Sequence, residues 1–241
     1  MRVSILSDIH GNLTAMEAVT EDLRKTTING CIFLGDLVDY GPHSNEVIHM
    51  VSAIKEPIYC NLWGNHEHAI MNHDFSRFSS ERGRESARFT QKSLSNQSKH
   101  FLNAEMQPGG FYEFILDGKK CLAVHGSLED YFWKSIFPNQ DLSKYEPYDY
   151  VFSGHSHEPH YFEQYYAVQN PVTRNRKKTV FINPGSVGQP RNLNPMAQYA
   201  ILDTGSEKME FRKVNYDWEK EIAAFSDAVD PFYQERLKRG V

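Results

Sequence analysis

Six short motifs, in which Asp, His or Asn lies beside Gly, constrain this chain more than any other feature. The first five each follow a run of β-branched or aromatic residues, so each is predicted to stand where a strand ends and the chain turns sharply. Loops beyond the carboxyl ends of neighbouring strands meet at one edge of a sheet. The pattern therefore predicts one site assembled from distant parts of the chain. In order, the motifs are Asp8-Ile9-His10-Gly11-Asn12, Gly35-Asp36-Leu37-Val38-Asp39, Gly64-Asn65-His66-Glu67, His125-Gly126, Gly154-His155-Ser156-His157 and Asn183-Pro184-Gly185-Ser186.

Strands and helices alternate in the first third of the chain, which predicts an α/β fold with a parallel sheet. The predicted elements are a strand over 2–7, a helix over 13–25 capped by Asn12, a strand over 31–34, a helix from Pro42 and Ser44 to residue 54, and a strand over 58–63. Each of the first three motifs follows one of these strands.

The later part of the chain has a different pattern. Apolar runs flank Asp117-Gly118 and Thr204-Gly205, which is a signal of β-hairpins. We expect these segments to form a mixed or antiparallel second sheet. Residues 217–239 are rich in Glu, Lys and Ala and predict C-terminal helices broken at Pro231, whose expected role is packing.

Composition narrows the class of protein. The 241 residues carry a formal charge of −5, which argues against a broad surface for nucleic acid. Three cysteines, Cys31, Cys60 and Cys121, favour buried free thiols in a reducing compartment over a disulfide framework. The N-terminal apolar run ends too early for a signal peptide, and no later run approaches a membrane span. A cytoplasmic protein with no membrane partner is predicted.

Imidazoles and carboxylates together suit Mn, Fe, Zn or Ni better than Ca or Mg. The ordered set Asp-x-His, Gly-Asp-x-x-Asp, Gly-Asn-His-Glu, His-Gly and Gly-His-x-His resembles the calcineurin-like metallophosphoesterases, over residues 1 to about 190. The stretch from Asn183 to Arg191 resembles the compact prokaryotic branch of that superfamily. The resemblance implies a four-layer α/β/β/α sandwich of two mixed sheets flanked by helices. We expect a single domain over 1–241, with a cap insertion at about 74–110.

The resemblance also implies a dinuclear metal centre, with Mn and/or Fe as the expected ions and Zn or Ni as alternatives. One ion would bind Asp8, His10 and His157, the other would bind Asn65, His125 and His155, and Asp36 would bridge both. A hydroxide held between the ions would be the nucleophile of an in-line displacement at phosphorus.

Two further residues are expected to act in catalysis. His66 resembles the family histidine that points at the scissile bond, and Asp39 resembles the carboxylate that orients it. A plain helix-capping role for Asp39 is the alternative. Asn65 and Arg191 are the candidate substrate-binding residues, and an ordinary surface arginine is the alternative for Arg191.

Two polar or aromatic segments lack motifs of their own. Residues 74–110 follow the Gly-Asn-His-Glu loop and are interpreted either as a cap over the substrate cleft or as a solvated helical excursion. Residues 128–148 contain Tyr131, Phe132 and Trp133, which would offer either a stacking surface or core packing.

The leading hypothesis is a metal-dependent phosphoric ester hydrolase, a phosphodiesterase or phosphatase, acting on a small phosphorylated substrate such as a nucleotide. A dinucleoside tetraphosphate hydrolase is the alternative. A catalytically silent scaffold is disfavoured because every expected ligand is present, and a nuclease is disfavoured by the net charge. The basic run from Arg174 to Lys178 is interpreted as an exposed hairpin tip. The sequence leaves the oligomeric state open.

Overall fold

The computed structural model describes residues 1–167 and 177–241, which form two mixed five-stranded sheets flanked by helices. In spatial order the first sheet contains β10 (Lys208–Val214), β9 (Ala197–Asp203), β1 (Arg2–Leu6), β2 (Gly30–Phe33) and β3 (Ile58–Asn61). The second contains β4 (Phe111–Leu116), β5 (Lys119–Val124), β6 (Tyr150–Ser153), β8 (Lys178–Asn183) and β7 (His160–Tyr165). The helices are α1 (Leu13–Leu23), α2 (Ser44–Ser52), α3 (Asn65–Asn72), α4 (Glu81–Ser93), α5 (Asn96–Ala104), α6 (Trp218–Ala223) and α7 (Phe232–Arg239).

The alternating first third of the chain folds as the sequence predicts. Strands β1, β2 and β3 are parallel neighbours. Asn12 caps α1, because its side-chain oxygen accepts a hydrogen bond from the Ala15 backbone nitrogen at 3.0 Å. Both faces of β1 and β2 are covered, which explains their nearly continuous apolar sequence.

Both predicted hairpins form, but they do not share a sheet. Strands β4 and β5 pair across Asp117-Gly118 in the second sheet, as expected. Strands β9 and β10 also pair with each other, yet β9 pairs antiparallel with β1 and extends the first sheet. The expectation that this hairpin belongs to the second sheet is wrong. Burial explains the outcome, because six of the seven residues of β9 are buried, as a central strand requires.

One hydrophobic core lies between the two sheets. Ile5 and Ile32 of the first sheet and Phe152 and Ile182 of the second belong to one buried apolar cluster. A second cluster packs α1 and α2 on the other face of the first sheet. The outer face of the second sheet is covered by Ile136, Leu142, Tyr145 and Tyr148. These four residues of the 128–148 segment serve as core, while the others are half-buried or exposed.

The remaining segments give mixed outcomes. In the described residues all three cysteines are buried and free, as predicted. Asp217 caps α6, and α7 begins after Pro231, as expected. Of the basic run, Arg174, Asn175 and Arg176 lie outside the described residues. Among the helices that are described, none is both long and apolar enough to cross a membrane.

Candidate metal centre

Five strand ends deliver the predicted site residues to one edge of the two sheets. Asp8 follows β1, Asp36 follows β2, and Asn65 begins α3 shortly after β3. His125 directly follows β5, and His155 lies two residues beyond β6. Because β1–β3 run parallel to one another, as β5 and β6 do, the loops beyond their carboxyl ends meet. Residues up to 149 positions apart in sequence therefore share one site.

The backbone at this edge is strained. Six of the predicted site residues have φ between +50° and +73°, a region that residues other than glycine rarely adopt. Each such residue costs about 1 kcal/mol or more, and such residues cluster at functional sites. The sharp turns that they make direct side chains from the strand ends toward a common point. These residues are Asp8, His10, Asp36, Asp39, His155 and His157.

A first group of four buried side chains converges on one point. The ligand atoms of Asp8, His10, Asp36 and His157 all lie within 4.8 Å of one another. His157 Nε2 is 3.1 Å from Asp8 Oδ1 and 3.3 Å from His10 Nε2, and His10 Nε2 is 3.6 Å from Asp36 Oδ2. Atoms that share one ion at about 2 Å have such separations.

Hydrogen bonds behind the two imidazoles fix their tautomers. His10 Nδ1 lies 3.2 Å from the Val38 carbonyl oxygen, and His157 Nδ1 lies 2.6 Å from the Gln189 carbonyl oxygen. A carbonyl oxygen only accepts, so each Nδ1 carries the proton and each Nε2 presents a lone pair. Asp8 Oδ1, which is buried, has no hydrogen-bond partner. Lone pairs thus face one another with no hydrogen between them, an arrangement that a cation would stabilise.

A second group lies beside the first. Asn65 Oδ1 is 3.0 Å from both His125 Nε2 and His155 Nδ1. His125 donates its Nδ1 hydrogen to the Leu34 carbonyl oxygen at 2.6 Å, so its Nε2 also faces inward. That Nε2 is 3.3 Å from Asp36 Oδ2, the same oxygen that faces the first group. A single oxygen of Asp36 therefore lies between the two groups.

The charges of the clustered groups shift one another's pKa. Burial alone raises the pKa of Asp36, but His125 and His66 outweigh burial and hold this pKa well below its usual range. Burial lowers the pKa of His125, but Asp36 outweighs it and raises this pKa to about 9. Burial and the neighbouring His125 lower the pKa of His155 to about 3. The site thus favours positive charge near Asp36, and a metal ion satisfies the same preference as a proton.

His66 and Asp39 form a buried pair at the edge of the two groups. His66 Nδ1 is 2.7 Å from Asp39 Oδ2, and its Nε2 is 4.0 Å from Asp36 Oδ2. The other Asp39 oxygen accepts hydrogen bonds from Ser86 at 2.6 Å and Thr90 at 2.9 Å, one turn apart on α4. Burial lowers the pKa of His66, but Asp36 and Asp39 outweigh it and raise this pKa above its ordinary value. Asp39 thus bridges His66 and α4, and its role in orienting the histidine stays a prediction.

Glu67, to which the sequence assigns no chemistry, fastens the loop that carries Asp36. Its Oε2 accepts hydrogen bonds from the backbone nitrogens of Asp36 and Gly64, both at 2.8 Å, and its Oε1 accepts one from Val38 at 3.1 Å. Gly64 lies against Asp36 so closely that an added Cβ would be 2.1 Å from Asp36 Oδ1. The Gly-Asn-His-Glu motif therefore positions Asp36 as well as contributing Asn65 and His66.

The model for the calcineurin-like phosphoesterase superfamily domain matches residues 1–207. The chain belongs to the calcineurin-like phosphoesterase superfamily. It is thus a phosphoesterase, an enzyme of the hydrolase class, in a family that depends on metal ions. The resemblance inferred from the motifs is confirmed.

Relatives of this phosphoesterase cover nearly its whole length. It is 29% identical over 222 residues to an uncharacterized protein of Methanocaldococcus jannaschii, covering 90% of this chain and 89% of that protein. It is 25% identical over 219 residues to the phosphodiesterase YfcE of Escherichia coli strain K12, covering 84% and 88% respectively. The crystal structure of a metallophosphoesterase from Sphaerobacter thermophilus matches with a TM-score of 0.78 at 27% identity, over 100% of both chains. The similarity to the Escherichia coli phosphodiesterase and to the Sphaerobacter metallophosphoesterase supports a place in the compact prokaryotic branch of the superfamily.

A cleft of about 400 Å³ opens onto the two groups of this phosphoesterase. Asp36, Asn65 and His66 line this cleft, and so does Arg191. Trp133 also lines the cleft, so this residue of the 128–148 segment is available to a ligand. The 74–110 segment contributes residues near its start, among them Phe78 and Arg82. Its role as a cap stays a prediction.

Sequence reasoning missed several residues of the cleft. The C-terminal helices were expected only to pack, but α7 brings Phe232, Tyr233 and Arg236 to the cleft wall, beyond the family match at residue 207. Tyr40 was also missed, and its ring lies 4.5 Å from that of His66 and 4.6 Å from that of His10. None of these belongs to a motif. The hydrogen bonds from Ser86 and Thr90 to Asp39 were missed as well. Their one sequence signal was the spacing of four residues, which places both hydroxyls on the same face of α4.

Proposed function

We propose that this chain hydrolyses phosphate esters, foremost small phosphodiesters, at a centre of two divalent transition-metal ions. The supporting observation is the pair of inward-facing donor groups that share Asp36 Oδ2. Asp8, His10 and His157 would hold one ion, and Asn65, His125 and His155 would hold the other. The imidazole-rich donor set suits Mn or Fe first and Zn or Ni next. The similarity to a phosphodiesterase supports diesters as substrates.

Two bound cations would supply electrophilic activation of the phosphoryl group and of the attacking water. The protein's own residues then position the substrate and move protons. Arg191, on the cleft wall, would bind phosphoryl oxygens through its planar guanidinium group. His66 would protonate the leaving oxygen from Nε2, since the Asp39 carboxylate on its Nδ1 raises the pKa of the ring and favours the imidazolium form. Asp39 would hold the Nδ1 hydrogen of that imidazolium and fix the ring.

A dinucleoside tetraphosphate hydrolase is a second candidate. Trp133 on the cleft wall favours it, because an indole offers a stacking surface to a base. The three buried free thiols support a reducing compartment, and we propose the cytoplasm.

The test is hydrolysis by metal-stripped protein to which Mn, Fe, Zn or Mg is returned. The substrates are p-nitrophenyl phosphate, bis-p-nitrophenyl phosphate and diadenosine tetraphosphate. We expect the diester to be cleaved with Mn or Fe, and preference for the tetraphosphate would support the second candidate instead. If no metal restores hydrolysis of any substrate, the proposal is wrong.

Two variants separate metal binding from proton transfer. Asp36→Asn should lose bound metal, because its Oδ2 faces both donor groups. His66→Ala should keep the metal and lower kcat by roughly a hundredfold or more. His100→Ala and Asp227→Asn replace exposed residues of the same types and should change neither property. A D36N protein that retains two ions per chain and full activity would contradict the proposed centre.

A further inference from the structure

Four arginines line the cleft, and three of them lack an acidic partner. Arg77 pairs with Asp130. Arg82, Arg191 and Arg236 have no Asp or Glu side chain within ion-pair distance among the residues that the structure describes. We call these three residues the arginine wall. Arg236 donates its Nε hydrogen to the main-chain oxygen of Val241, the last residue of the sequence, which leaves its Nη groups without a hydrogen-bond partner in the described part of the chain. Arg82 and Arg191 donate to no group among the residues that the structure describes, so several guanidinium donors beside a phosphoesterase site are unused.

Helix α7 fixes one part of the arginine wall to the rest of the site. Tyr233 stacks on Tyr40 with ring centroids 4.4 Å apart, and Tyr40 in turn contacts His66. At the other end of the helix, the Leu193 backbone nitrogen donates a hydrogen bond to the Gly240 carbonyl oxygen at 2.7 Å. The helix is therefore docked both to the loop that carries Tyr40 and to the loop that carries Arg191. Its position relative to the donor groups is fixed.

Phe232 brings two of the three arginines together. The Arg82 guanidinium carbon lies 4.1 Å from the centre of the Phe232 ring, and that of Arg236 lies 5.0 Å from it. Arg82 comes from α4 and Arg236 from α7, so the ring joins the two helices that border the cleft. Stacking of this kind holds a guanidinium group in place. It leaves all the N–H donors of Arg82 and the Nη donors of Arg236 free for an anion, while Arg236 Nε donates to Val241.

The electrostatics of the arginine wall are unfavourable without a ligand. Arg191 Nε is buried and has no hydrogen-bond partner. Burial lowers the pKa of Arg236 to about 10, with the neighbouring charge of Arg191 as the next cause. Positive charges held together in a concave site attract anions strongly. A ligand with two negative charges would satisfy both the charge and the unused donors.

We propose that Arg82, Arg191 and Arg236 form a subsite for a second phosphate, so that the preferred substrate is an ester whose organic group carries a phosphate of its own. This inference rests on the ester hydrolysis proposed above. A phosphate suits three guanidinium groups better than a carboxylate does, because it offers more oxygens and more charge to planar donors. Arg191, already assigned to the phosphoryl oxygens, would lie between the scissile and the second phosphate.

The test uses two esters that differ in one group. Thymidine 5′-(p-nitrophenyl phosphate) and the same ester with a 3′-phosphate both release p-nitrophenolate when water adds to phosphorus and the bond to the nitrophenyl oxygen breaks. We compare their kcat/KM values for metal-loaded wild-type protein and for the Arg236→Ala and Arg82→Ala variants. Arg239→Ala is the control, since Arg239 lies on the same helix, is 71% exposed and pairs with Glu235.

In the wild type, kcat/KM for the 3′-phosphorylated ester should exceed that for the plain ester by at least about tenfold. R236A and R82A should each reduce this ratio by about tenfold, mainly through KM, and R239A should not change it. The two variants lie on different helices, so misfolding of one leaves the other as a test. A wild-type ratio near one, or a ratio unaffected by both variants, would overturn the subsite while leaving the ester hydrolysis intact. Failure to cleave either ester would instead refute the hydrolysis itself and the subsite with it.

Discussion

Gly64→Ala tests how closely the loop after β3 fits the Asp36 carboxylate. Gly64 has φ −91° and ψ −173°, an extended conformation that alanine adopts without strain. The added methyl group would nevertheless lie 2.1 Å from Asp36 Oδ1 and 2.6 Å from the Asp36 backbone nitrogen. Contacts this short force either the carboxylate or the loop to move. Since the other oxygen of that carboxylate faces both donor groups, either movement disturbs the proposed metal centre.

The expected free-energy change combines two opposing effects. Overpacking a buried position costs about 1–3 kcal/mol. Replacing glycine by alanine also restricts the unfolded chain, which stabilises the folded protein by about 0.4–1 kcal/mol. The midpoints of the two ranges leave a net loss of about 1.3 kcal/mol. For a chain of this size, that loss lowers Tm by about 3–5 °C.

Gly205→Ala is the matched control. Gly205 lies in the β9–β10 turn, and an added Cβ would meet nothing closer than Asp203 Oδ1 at 3.5 Å. The same unfolded-state effect applies there without the overlap, so Tm should stay the same or rise slightly.

The assay measures Tm of the metal-stripped proteins, metal content after reconstitution, and hydrolysis of bis-p-nitrophenyl phosphate. G64A should show a lower Tm, fewer bound ions and at least about a tenfold lower kcat/KM, because displaced metal ligands reduce affinity or activity by 10–100-fold in other sites. A G64A protein with two ions per chain and activity within a factor of two of wild type would refute the reasoning. It would show that Asp36 does not need its present position.

Two further predictions concern groups away from the metal ligands. In a Ser86→Ala/Thr90→Val double variant, Asp39 Oδ1 loses both of its hydroxyl donors, so kcat should fall about tenfold while metal content is unchanged. Ser93→Ala, at an exposed position of the same helix, is the control. An unaltered kcat in the double variant would contradict the role of α4. Burial raises the pKa of all three thiols, that of Cys121 to about 12, so at pH 8 a disulfide reagent should label the native protein far more slowly than the unfolded one. Rapid labelling of even one native thiol would show that a described core cluster opens readily.

The sequence predicts well that the motifs stand at strand ends, because the signals for a strand and its turn are local. Apolar runs followed by Gly with Asp, His or Asn mark both the strand and its turn, and parallel strands bring the turns together. The same local signal predicts the β9–β10 hairpin. It does not predict which sheet the hairpin joins, since that depends on pairing with β1 nearly two hundred residues earlier. The turn residues specify that a hairpin forms, whereas the burial of both faces of β9 determines which sheet the hairpin joins.

For the site, too, the sequence predicts which side chains meet but not their detailed arrangement. Donor types and order predict which side chains meet, and the structure brings all seven proposed metal ligands together. That a single oxygen of Asp36 faces both groups depends on the backbone of His66, which donates to the other oxygen at 2.9 Å. The contribution of Ser86 and Thr90 depends on how α4 packs. The four-residue spacing of Ser86 and Thr90 places both hydroxyls on one face of a helix, but only tertiary contacts bring that face to Asp39.

The proposed metal ligands lie in sequence motifs, whereas two of the proposed substrate-binding arginines do not, because the two roles place different constraints on a residue. A metal ligand at a strand end must be one of a few side-chain types, and five of the seven proposed ligands also have a left-handed backbone, so such positions are recognisable in the sequence. An arginine that binds a substrate anion needs only charge and reach, and a long side chain from any bordering helix supplies both. Arg82 and Arg236 come from α4 and α7 and have no fixed spacing from the motifs. For that reason the class of reaction is evident from the sequence, whereas selectivity among phosphate esters depends on helices that carry no motif. Exchanging α7 between relatives should therefore change which ester is preferred before it changes whether esters are cleaved.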